Sequence, residues 1–245
     1  MVGMLPTVAI CTVTLNRINL ARQCLGPSIS IAGMDAPLYH WDNGSSDGVS
    51  EYVASLARYT YPHLENIGYA KAVNQLMMQA YDDGAEYILV LDPDIRVKTP
   101  GWVRRMVEVA SQIPNTGVAG LYCEVFGLHP LQNVNGVDVH LGNPFGPKMW
   151  HRSAIDQIGW LCEEYGLYGL EDNDWICRLE CAGRVNYYVP GVSGTHDGDD
   201  VGDNSSYRQM KWDCIRAVGA KHVAYCDAYR DGSRPLYIPA PESLL

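Results

Sequence analysis

The chain has 245 residues, of which 47% are hydrophobic and 19% charged, as in ordinary globular proteins. Its formal net charge of −10 repels phosphate backbones, so nucleic acid is not a favoured partner. No run reaches the roughly 18 apolar residues of a membrane span, and residues 1–6 lack the basic and apolar regions of a secretory signal, so we expect a cytoplasmic protein.

Apolar runs alternate with segments of helical spacing along much of the chain. Strands are predicted over residues 8–13, 38–41, 87–91, 117–121 and 185–189. Helices are predicted near residues 18–25, 49–57, 70–80, 103–110, 153–158, 171–182 and 207–218. Alternation of this kind predicts an α/β fold, in which a mostly parallel central sheet is covered by helices on both faces.

The domain organisation follows from the absence of a long linker. Glycine and proline are dense over residues 127–147, and residues 191–205 are rich in Gly, Asp and Ser, which predicts a mobile loop. We predict a single domain over residues 1–245. Its nucleotide- and metal-binding half covers about 1–121, its acceptor half about 122–203 and its C-terminal extension about 204–245.

The eight cysteines are scattered along the chain and include no C-x-x-C pair. Cys177 and Cys181 lie four residues apart on a predicted helix and could present two thiolates together. With no matching pair nearby, buried free thiols are the favoured interpretation.

Polar residues follow directly after three predicted strands. Ligands of open α/β sheets bind beyond the carboxyl ends of such strands. The first strand runs into Thr14, Asn16 and Arg17, and the second into Asp42 and Asn43. Asp42 is a candidate for accepting hydrogen bonds from a base or ribose, whereas the Asn-Gly and Asp-Gly pairs of residues 43–48 are also typical of a plain turn.

Asp92-Pro93-Asp94 follows the third of these strands. A carboxylate at each end of a turn stiffened by proline suits a hard divalent cation such as Mn²⁺ or Mg²⁺. Such an ion neutralises the charge of a departing nucleoside diphosphate. The alternative is a surface turn without a metal.

Residues 66–74 are predicted to open a helix, with Gly68 at its start and Lys71 one turn in. A helix N-terminus with a nearby lysine is a candidate anion site, and we assign Gly68, Lys71 and Asn74 to donor binding. An amphipathic helix with a solvated lysine is the other interpretation.

Glu171-Asp172-Asn173-Asp174 precedes another helical run. One interpretation is that its acidic residues cap the helix; the other is that Asp172 or Glu171 is the general base that an acceptor hydroxyl needs. His196 is either a third metal ligand or a loop histidine. We predict Trp150, beside Lys148 and Arg152, and Asp174 as acceptor contacts.

Taken in order, these segments resemble the family 2 glycosyltransferases, which are inverting enzymes with the GT-A fold. The matching segments are residues 8–17, 42–48, 66–74, 91–94, 159–161 and 168–174, then Arg178-Leu179, Ala182-Gly183 and His196. The region of residues 122–150, which in that family shapes the sugar sites, has no clear counterpart.

The resemblance implies roles for individual residues. A residue matching Asp42 holds the nucleobase, and residues near Thr14, Asn16 and Arg17 line the same pocket. Asp92 and Asp94 match the D-x-D metal motif, in which Pro93 is the middle residue. Asp172 matches the catalytic base, and His196 a histidine that completes the metal shell. The expected cofactor is Mn²⁺ or Mg²⁺, and the expected donor a UDP-, GDP- or dTDP-linked sugar.

Other functions share parts of this pattern. A sugar-1-phosphate nucleotidyltransferase would carry a glycine-rich loop after the first strand, which residues 14–17 lack. A non-catalytic sugar-nucleotide-binding module would not need Asp172. A retaining GT-A enzyme, in which Asp172 orients a substrate, stays open. The acceptor's chemical class is open as well.

Overall fold

One mixed β-sheet of ten strands forms the centre of the computed structural model, which describes residues 7–123, 130–144, 146–199 and 205–245. The strands are β1 (Val8–Thr14), β2 (Leu38–Asn43), β3 (Tyr59–His63), β4 (Tyr87–Val90), β5 (Ile95–Val97), β6 (Thr116–Cys123), β7 (Leu131–Val134), β8 (Val137–Leu141), β9 (Lys148–His151) and β10 (Val185–His196). Their order is β3-β2-β1-β4-β9-β6-β10-β8-β7, and β5 pairs with β10.

The direction of the strands brings several chain ends to one edge. Strands β3, β2, β1 and β4 are mutually parallel, and β6 is parallel to β10. Strand β9 is antiparallel to both β4 and β6. The carboxyl ends of β1, β2, β4, β6 and β10 therefore share one edge, and β9 begins at that same edge. The α/β fold class predicted from the sequence is confirmed.

Helices cover both faces of the sheet. They are α1 (Ile18–Leu20) and α2 (Gly26–Ser30), joined by a π-helical turn (Ala21–Leu25), then α3 (Val49–Ala54), α4 (Tyr69–Asp82), α5 (Trp102–Ala110), α6 (Arg152–Ile158), α7 (Glu171–Cys181) and α8 (Ser205–Arg230). Leu25, Val53 and Met106 pack in the core on one face. Leu76 of α4 and Ile176 of α7 pack in the core on the other. Strands β1, β2, β4, β6 and β9 supply both cores because successive side chains alternate between the faces.

Several parts of the sheet differ from the sequence prediction. Strands β3, β5 and β9 and the β7–β8 hairpin were not predicted. The mobile loop predicted over residues 191–205 is wrong for its first half, because β10 continues to His196 and pairs with β5 and β6. A 3-10 turn follows at Asp197–Asp199, and residues 200–204 lie outside the described part. Helix α8 is also longer than the predicted segment 207–218.

Strand β9 packs against α7 through two tryptophans. Trp150 and Trp175 are stacked with their ring centroids 4.4 Å apart. Trp150 is only 4% exposed and Trp175 only 1%. The prediction of Trp150 as an acceptor contact is therefore corrected, since its ring is committed to the core. The stack contributes on the order of 1 kcal/mol beyond the burial of the two side chains.

Asp174 is also a core residue and not an acceptor contact. It is fully buried, and Arg178 Nε donates to its Oδ2 at 2.8 Å. Its Oδ1 accepts from the hydroxyls of Tyr165 and Tyr229, at 3.1 and 3.0 Å. Since Tyr229 belongs to α8, this network ties α7 to the long C-terminal helix. Because this carboxylate is fully buried and accepts three hydrogen bonds from the protein, it is not accessible to a ligand.

The cysteines in the described part of the chain are free thiols. Cys11, Cys24, Cys162, Cys177 and Cys226 are buried, while Cys181 and Cys214 are partly exposed. Among the described residues no helix combines the length and apolar character of a membrane span.

Asp174→Ala should lower the free energy of unfolding by about 3–5 kcal/mol, because Arg178 then stays buried without its carboxylate. Urea unfolding followed by circular dichroism measures this. Asp213→Ala is the matched control, since Asp213 pairs with Arg216 on the exposed surface of α8. We expect the control to unfold like the wild type, and equal stability of the two variants would contradict the assignment.

Candidate active site

A crevice lies at the sheet edge where the parallel strands end. The predicted residues that line it come from β1, β2, the β4–β5 turn and the end of β10: Thr14, Asn16, Arg17, Asn43, Asp92, Pro93, Asp94 and His196. Further lining comes from residues that were not assigned to the site: Asn66, Tyr69, Leu167, Tyr168, Met210 and Lys211. The structure therefore brings most of the predicted donor and metal residues together, and α8 forms part of the wall.

Arg17 and His196 lie close to the Asp94 carboxylate. Arg17 Nη1 donates to Asp94 Oδ2 at 3.2 Å, and Arg17 Nη2 donates to the Gly198 carbonyl at 3.0 Å. His196 Nε2 lies 3.7 Å from Asp94 Oδ1. A Cβ added at Gly198 would lie 2.3 Å from Asp94 Oδ2, so a glycine is needed for this close approach.

These residues fit a divalent cation in part. Two ligands that each bind one ion at about 2.1 Å lie about 3 Å apart, close to the spacing of Asp94 and His196. Two carboxylates and one imidazole also match the donor set that Mn²⁺ accepts. Within the described part of the chain, no group of three or more His, Cys, Asp or Glu side chains stands ready to hold a metal ion. Any metal shell here is therefore one that substrate oxygens help to complete.

Asp92 lies at the junction of the crevice and a second hollow. Its Oδ1 accepts from the Tyr69 hydroxyl at 2.7 Å. Burial raises the pKa of Asp92, the Lys148 ammonium opposes this, and the Asp94 carboxylate adds to the rise. The ionised form of a carboxylate whose pKa is raised in this way is stabilised by a nearby cation, whether a side chain or a metal ion.

The end of β1 has an uncommon backbone. Asn16 and Arg17 both have positive φ, 56° and 72°, which costs energy for residues other than glycine. The Asn16 amide offsets this, since its Oδ1 accepts from Ser46 N at 2.8 Å while Asn16 N donates to Ser45 Oγ at 2.7 Å. This turn aims the Arg17 side chain at Asp94.

Asp42 organises the loop beside that turn. It is 3% exposed, and its carboxylate accepts from Thr14 Oγ1 at 2.9 Å and from Ser45 N at 3.1 Å. It does not line the crevice directly, whereas its neighbour Asn43 does. Contact with a nucleobase would require one of these loop bonds to open, so that role stays a prediction.

The α4 segment departs from its predicted role in donor binding. The Tyr69 N–H donates to the Leu167 carbonyl at 2.9 Å, so the start of the helix is covered. A Cβ at Gly68 would meet the Gly166 carbonyl at 2.7 Å. Lys71 is exposed and does not line the crevice. Asn74 is buried and exchanges hydrogen bonds with the backbone of Leu161, so Gly68, Lys71 and Asn74 are corrected to structural or surface positions.

The second hollow adjoins the crevice. We call it the acceptor hollow because Lys148 and residues 168–173, which line it, belong to the predicted acceptor half of the chain. It shares Tyr69, Asp92 and Tyr168 with the crevice and is completed by Lys148, Gly169, Leu170, Glu171, Asp172, Asn173 and Ile215. Leu170, with φ 67°, turns the chain into α7 just before its two acidic residues. The Asp172 side chain is 25% exposed, and its Oδ2 accepts from Lys148 Nζ at 2.5 Å.

The two neighbouring acids of α7 differ in their surroundings. Burial raises the pKa of Glu171 to about 7, and the charge of Asp172 adds to this. Burial also raises the pKa of Asp172, but Lys148 and the Asn173 N–H more than offset it and hold the pKa below its usual value. Asp172 is therefore the ionised acid of the pair, whereas Glu171 is the one that favours the neutral form.

Sequence reasoning missed Lys148, Tyr69, Tyr168 and Lys211. Tyr69 and Tyr168 lie within segments that had been singled out, and an aromatic hydroxyl near an acidic motif was the available signal. Lys148 could have been noticed as a lysine that directly precedes the apolar pair Met149-Trp150. Nothing in the local sequence connects Lys211 on α8 to the crevice.

Residues 9–128 match the family model described as glycosyl transferase family 2. No curated protein matches the chain in sequence.

Solved structures share the fold at low identity. The mannosyltransferase PcManGT from Pyrobaculum calidifontis, in complex with GDP-Man and Mn²⁺, has a TM-score of 0.61 and 15% identity over 80% of this chain and 58% of its own. S. aureus TarS 1-349 has a TM-score of 0.56 and 15% identity over 77% and 60%. GalNAc-T7 with UDP, GalNAc and Mn²⁺ has 0.60 and 12% over 79% and 44%.

The α/β sheet with its acidic edge thus defines a protein of the GT-A fold, as predicted. Over residues 9–128, just under half of its length, the chain is similar to glycosyl transferase family 2. It spans about 58% of the length of the mannosyltransferase and 60% of TarS 1-349.

Glu171→Gln should change how stability depends on pH. The native protein keeps a proton on Glu171 up to about pH 7, whereas the unfolded chain releases it near 4.5, so the free energy of unfolding falls as pH rises between these values. Glutamine stays neutral and removes this fall. From pH 5 to pH 8 the wild type should lose on the order of 2 kcal/mol relative to the variant.

Urea unfolding at pH 5, 6, 7 and 8 measures the difference. Glu180→Gln is the matched control, because Glu180 is exposed on the same helix. Its stability should run parallel to the wild type at every pH. Parallel curves for Glu171→Gln as well would show that Glu171 ionises freely.

Proposed function

We propose that the protein transfers a sugar from a nucleoside diphosphate donor to an acceptor hydroxyl, with inversion and with Mn²⁺ or Mg²⁺ as cofactor. The observation that carries this proposal is the junction of two sites at Asp92. On one side the crevice holds Asp94 and His196, and on the other the acceptor hollow holds Asp172. The groups that would bind phosphate and the group that would act as base are thus in adjoining hollows, which supports the proposal.

The donor would occupy the crevice. Asp92, Asp94 and His196 would hold the metal ion, and Arg17 is placed to contact a phosphate if it leaves Asp94. A bound divalent ion neutralises the charge that develops on the departing diphosphate. Mn²⁺ accompanies GDP-Man in the mannosyltransferase and UDP in GalNAc-T7, which supports the same use here.

Asp172 would be the general base. It accepts the acceptor's hydroxyl proton while that oxygen bonds to the anomeric carbon and the diphosphate departs with the electron pair of its C–O bond. Attack opposite the departing group gives inversion. Retention is the alternative, and the configuration of the first product, read by NMR, distinguishes the two.

The acceptor would be a neutral hydroxyl compound such as a carbohydrate. Asp92 and Asp172 face the acceptor hollow together with Lys148, so the hollow has no surplus positive charge that would attract a phosphate or carboxylate next to the reacting hydroxyl. Tyr168 and Ile215 offer apolar surface for a sugar ring. Nucleic acid is not favoured, and a cytoplasmic location stays a prediction.

Nucleoside diphosphate binding should depend on the metal. Calorimetry with UDP, GDP and dTDP in Mn²⁺ should reveal one that binds, and excess chelator should weaken it by about 10-fold or more because phosphate charge then faces bare carboxylates. Asp94→Asn should have a similar effect in Mn²⁺. Asp138→Asn, on the exposed β7–β8 hairpin, should bind like the wild type. Equal affinity in chelator would remove the metal from the scheme.

Asp172→Asn should abolish the base without disturbing the crevice. Hydrolysis of the binding nucleotide sugar, with water as acceptor and nucleoside diphosphate release as readout, should slow by about 10²–10⁴-fold. The affinity for the nucleoside diphosphate should change little. Glu180→Gln on the exposed side of α7 is the control. Turnover at the wild-type rate in Asp172→Asn would exclude Asp172 as the base.

A further inference from the structure

Lys148 is a buried cation that the proposed chemistry does not yet use. It is the first residue of β9, and the register pairs it with Val90 at the end of β4, two residues before Asp92. Its side chain is 9% exposed, and its Nζ donates to Asp172 Oδ2 at 2.5 Å. It lines the acceptor hollow together with Asp92 and Asp172.

The charge of this lysine is maintained by its neighbours. Burial lowers the pKa of Lys148, but the carboxylates of Asp172 and Asp92 more than offset this, and the pKa lies above its usual value. A buried ammonium is costly unless it is paired, and here its direct partner is the carboxylate assigned as base. The hydrogen bond also fixes which oxygen of Asp172 is occupied, since Oδ2 accepts from Lys148 while Oδ1 accepts from the Asn173 N–H at 2.8 Å.

The packing of β9 against α7 explains how the pair is held. Lys148 of β9 pairs with Asp172 of α7 across this contact. Two residues further along β9, Trp150 stacks on Trp175 of α7. A strand and a helix joined at two points have a fixed register. The position of Asp172 is therefore set from the β9 side, by one ion pair and one aromatic stack.

We propose that Lys148 is a positioning residue for sugar transfer: its ammonium orients the Asp172 carboxylate towards the acceptor hollow and adds a fixed positive charge beside Asp92. The proposal rests on the proposed function, because it requires Asp172 to act as the base.

The charges that change during the transfer give Lys148 a second role, which concerns the departing diphosphate. When Asp172 takes the acceptor's proton it becomes neutral, and the ammonium loses the partner it had in the resting state. At the same moment the C–O bond to the diphosphate breaks and its electron pair stays on the diphosphate oxygen. The positive charge of Lys148 then has Asp92 as its remaining neighbouring carboxylate and lies on the side where negative charge has appeared, which favours the departing group.

The test compares Lys148→Met with Lys148→Arg in donor hydrolysis. UDP-glucose, GDP-mannose and dTDP-glucose are offered with Mn²⁺, and the released nucleoside diphosphate gives kcat and KM. Lys148→Met should lower kcat by about 100-fold, because the base loses its orientation, while KM and the nucleoside diphosphate Kd change by less than about threefold. Lys148→Arg keeps the charge and should recover part of kcat. Lys221→Met, an exposed lysine of α8, is the control and should match the wild type.

A double-variant cycle separates positioning from an independent effect. If Lys148 acts mainly by orienting Asp172, the Lys148→Met/Asp172→Asn double variant should be at most about 10-fold slower than Asp172→Asn alone, the part due to its charge on the departing group, instead of about 100-fold slower. The double variant also carries no unpaired buried charge at the pair, so it keeps the comparison available if Lys148→Met alone does not fold, and thermal melting checks both. Multiplying effects on kcat would overturn the proposal.

Failure of the two proposals looks different. If the wild type neither binds a nucleoside diphosphate nor hydrolyses any of the three donors, the proposed function itself is wrong, and this shows before any variant is compared. If the wild type is active and Lys148→Met keeps kcat within about threefold, only the role of Lys148 is wrong.

Discussion

The concentration of negative charge at one edge of the sheet is the constraint on which the site depends. Asp92, Asp94, Glu171 and Asp172 meet there, and each is stabilised in a different way. Arg17 pairs with Asp94, Lys148 pairs with Asp172, and Glu171 favours its neutral form. Asp92 has only a tyrosine hydroxyl as its direct partner among the described contacts. The carboxylate with the weakest compensation is thus the one at the junction of crevice and hollow, where a cation or a cationic complex is most favourable.

Buried contacts hold helix α7 rigidly at this acidic edge of the sheet. Helix α7 presents Asp172 from its first turn, and its next turn is fixed by the Asp174–Arg178 pair and the Trp150–Trp175 stack. Arg178 also donates to the carbonyls of Ile158 and Trp160, at 2.7 and 2.8 Å. Buried networks in which every donor has an acceptor hold a single geometry. In the acidic run at the start of α7, the second residue is therefore the proposed base, whereas the fourth has a structural role.

The sequence predicted those parts of the site that follow from strand ends. Thr14, Arg17 and Asp92 come directly after buried runs, and parallel strands bring such positions together whatever the rest of the fold. Trp150 was placed wrongly and Lys148 was overlooked for one shared reason: β9 is short, lies in a region dense in glycine and proline, and runs antiparallel to its neighbours. Strand direction is set by pairing partners far away in sequence. Asn74 shows the same limit, because its partner Leu161 is 87 residues further along the chain.

The Trp150–Trp175 stack affects how substitutions can alter the site. Under the proposed function, the orientation of the Asp172 carboxylate also depends on two buried rings, Trp150 and Trp175, that line neither the crevice nor the acceptor hollow. A smaller aromatic residue at position 175 would weaken this stack and the hold on the first turn of α7 without changing a residue that lines the site. Under the proposed function, a change of acceptor can therefore begin with a substitution in the hydrophobic interior, at residues whose role looks purely structural.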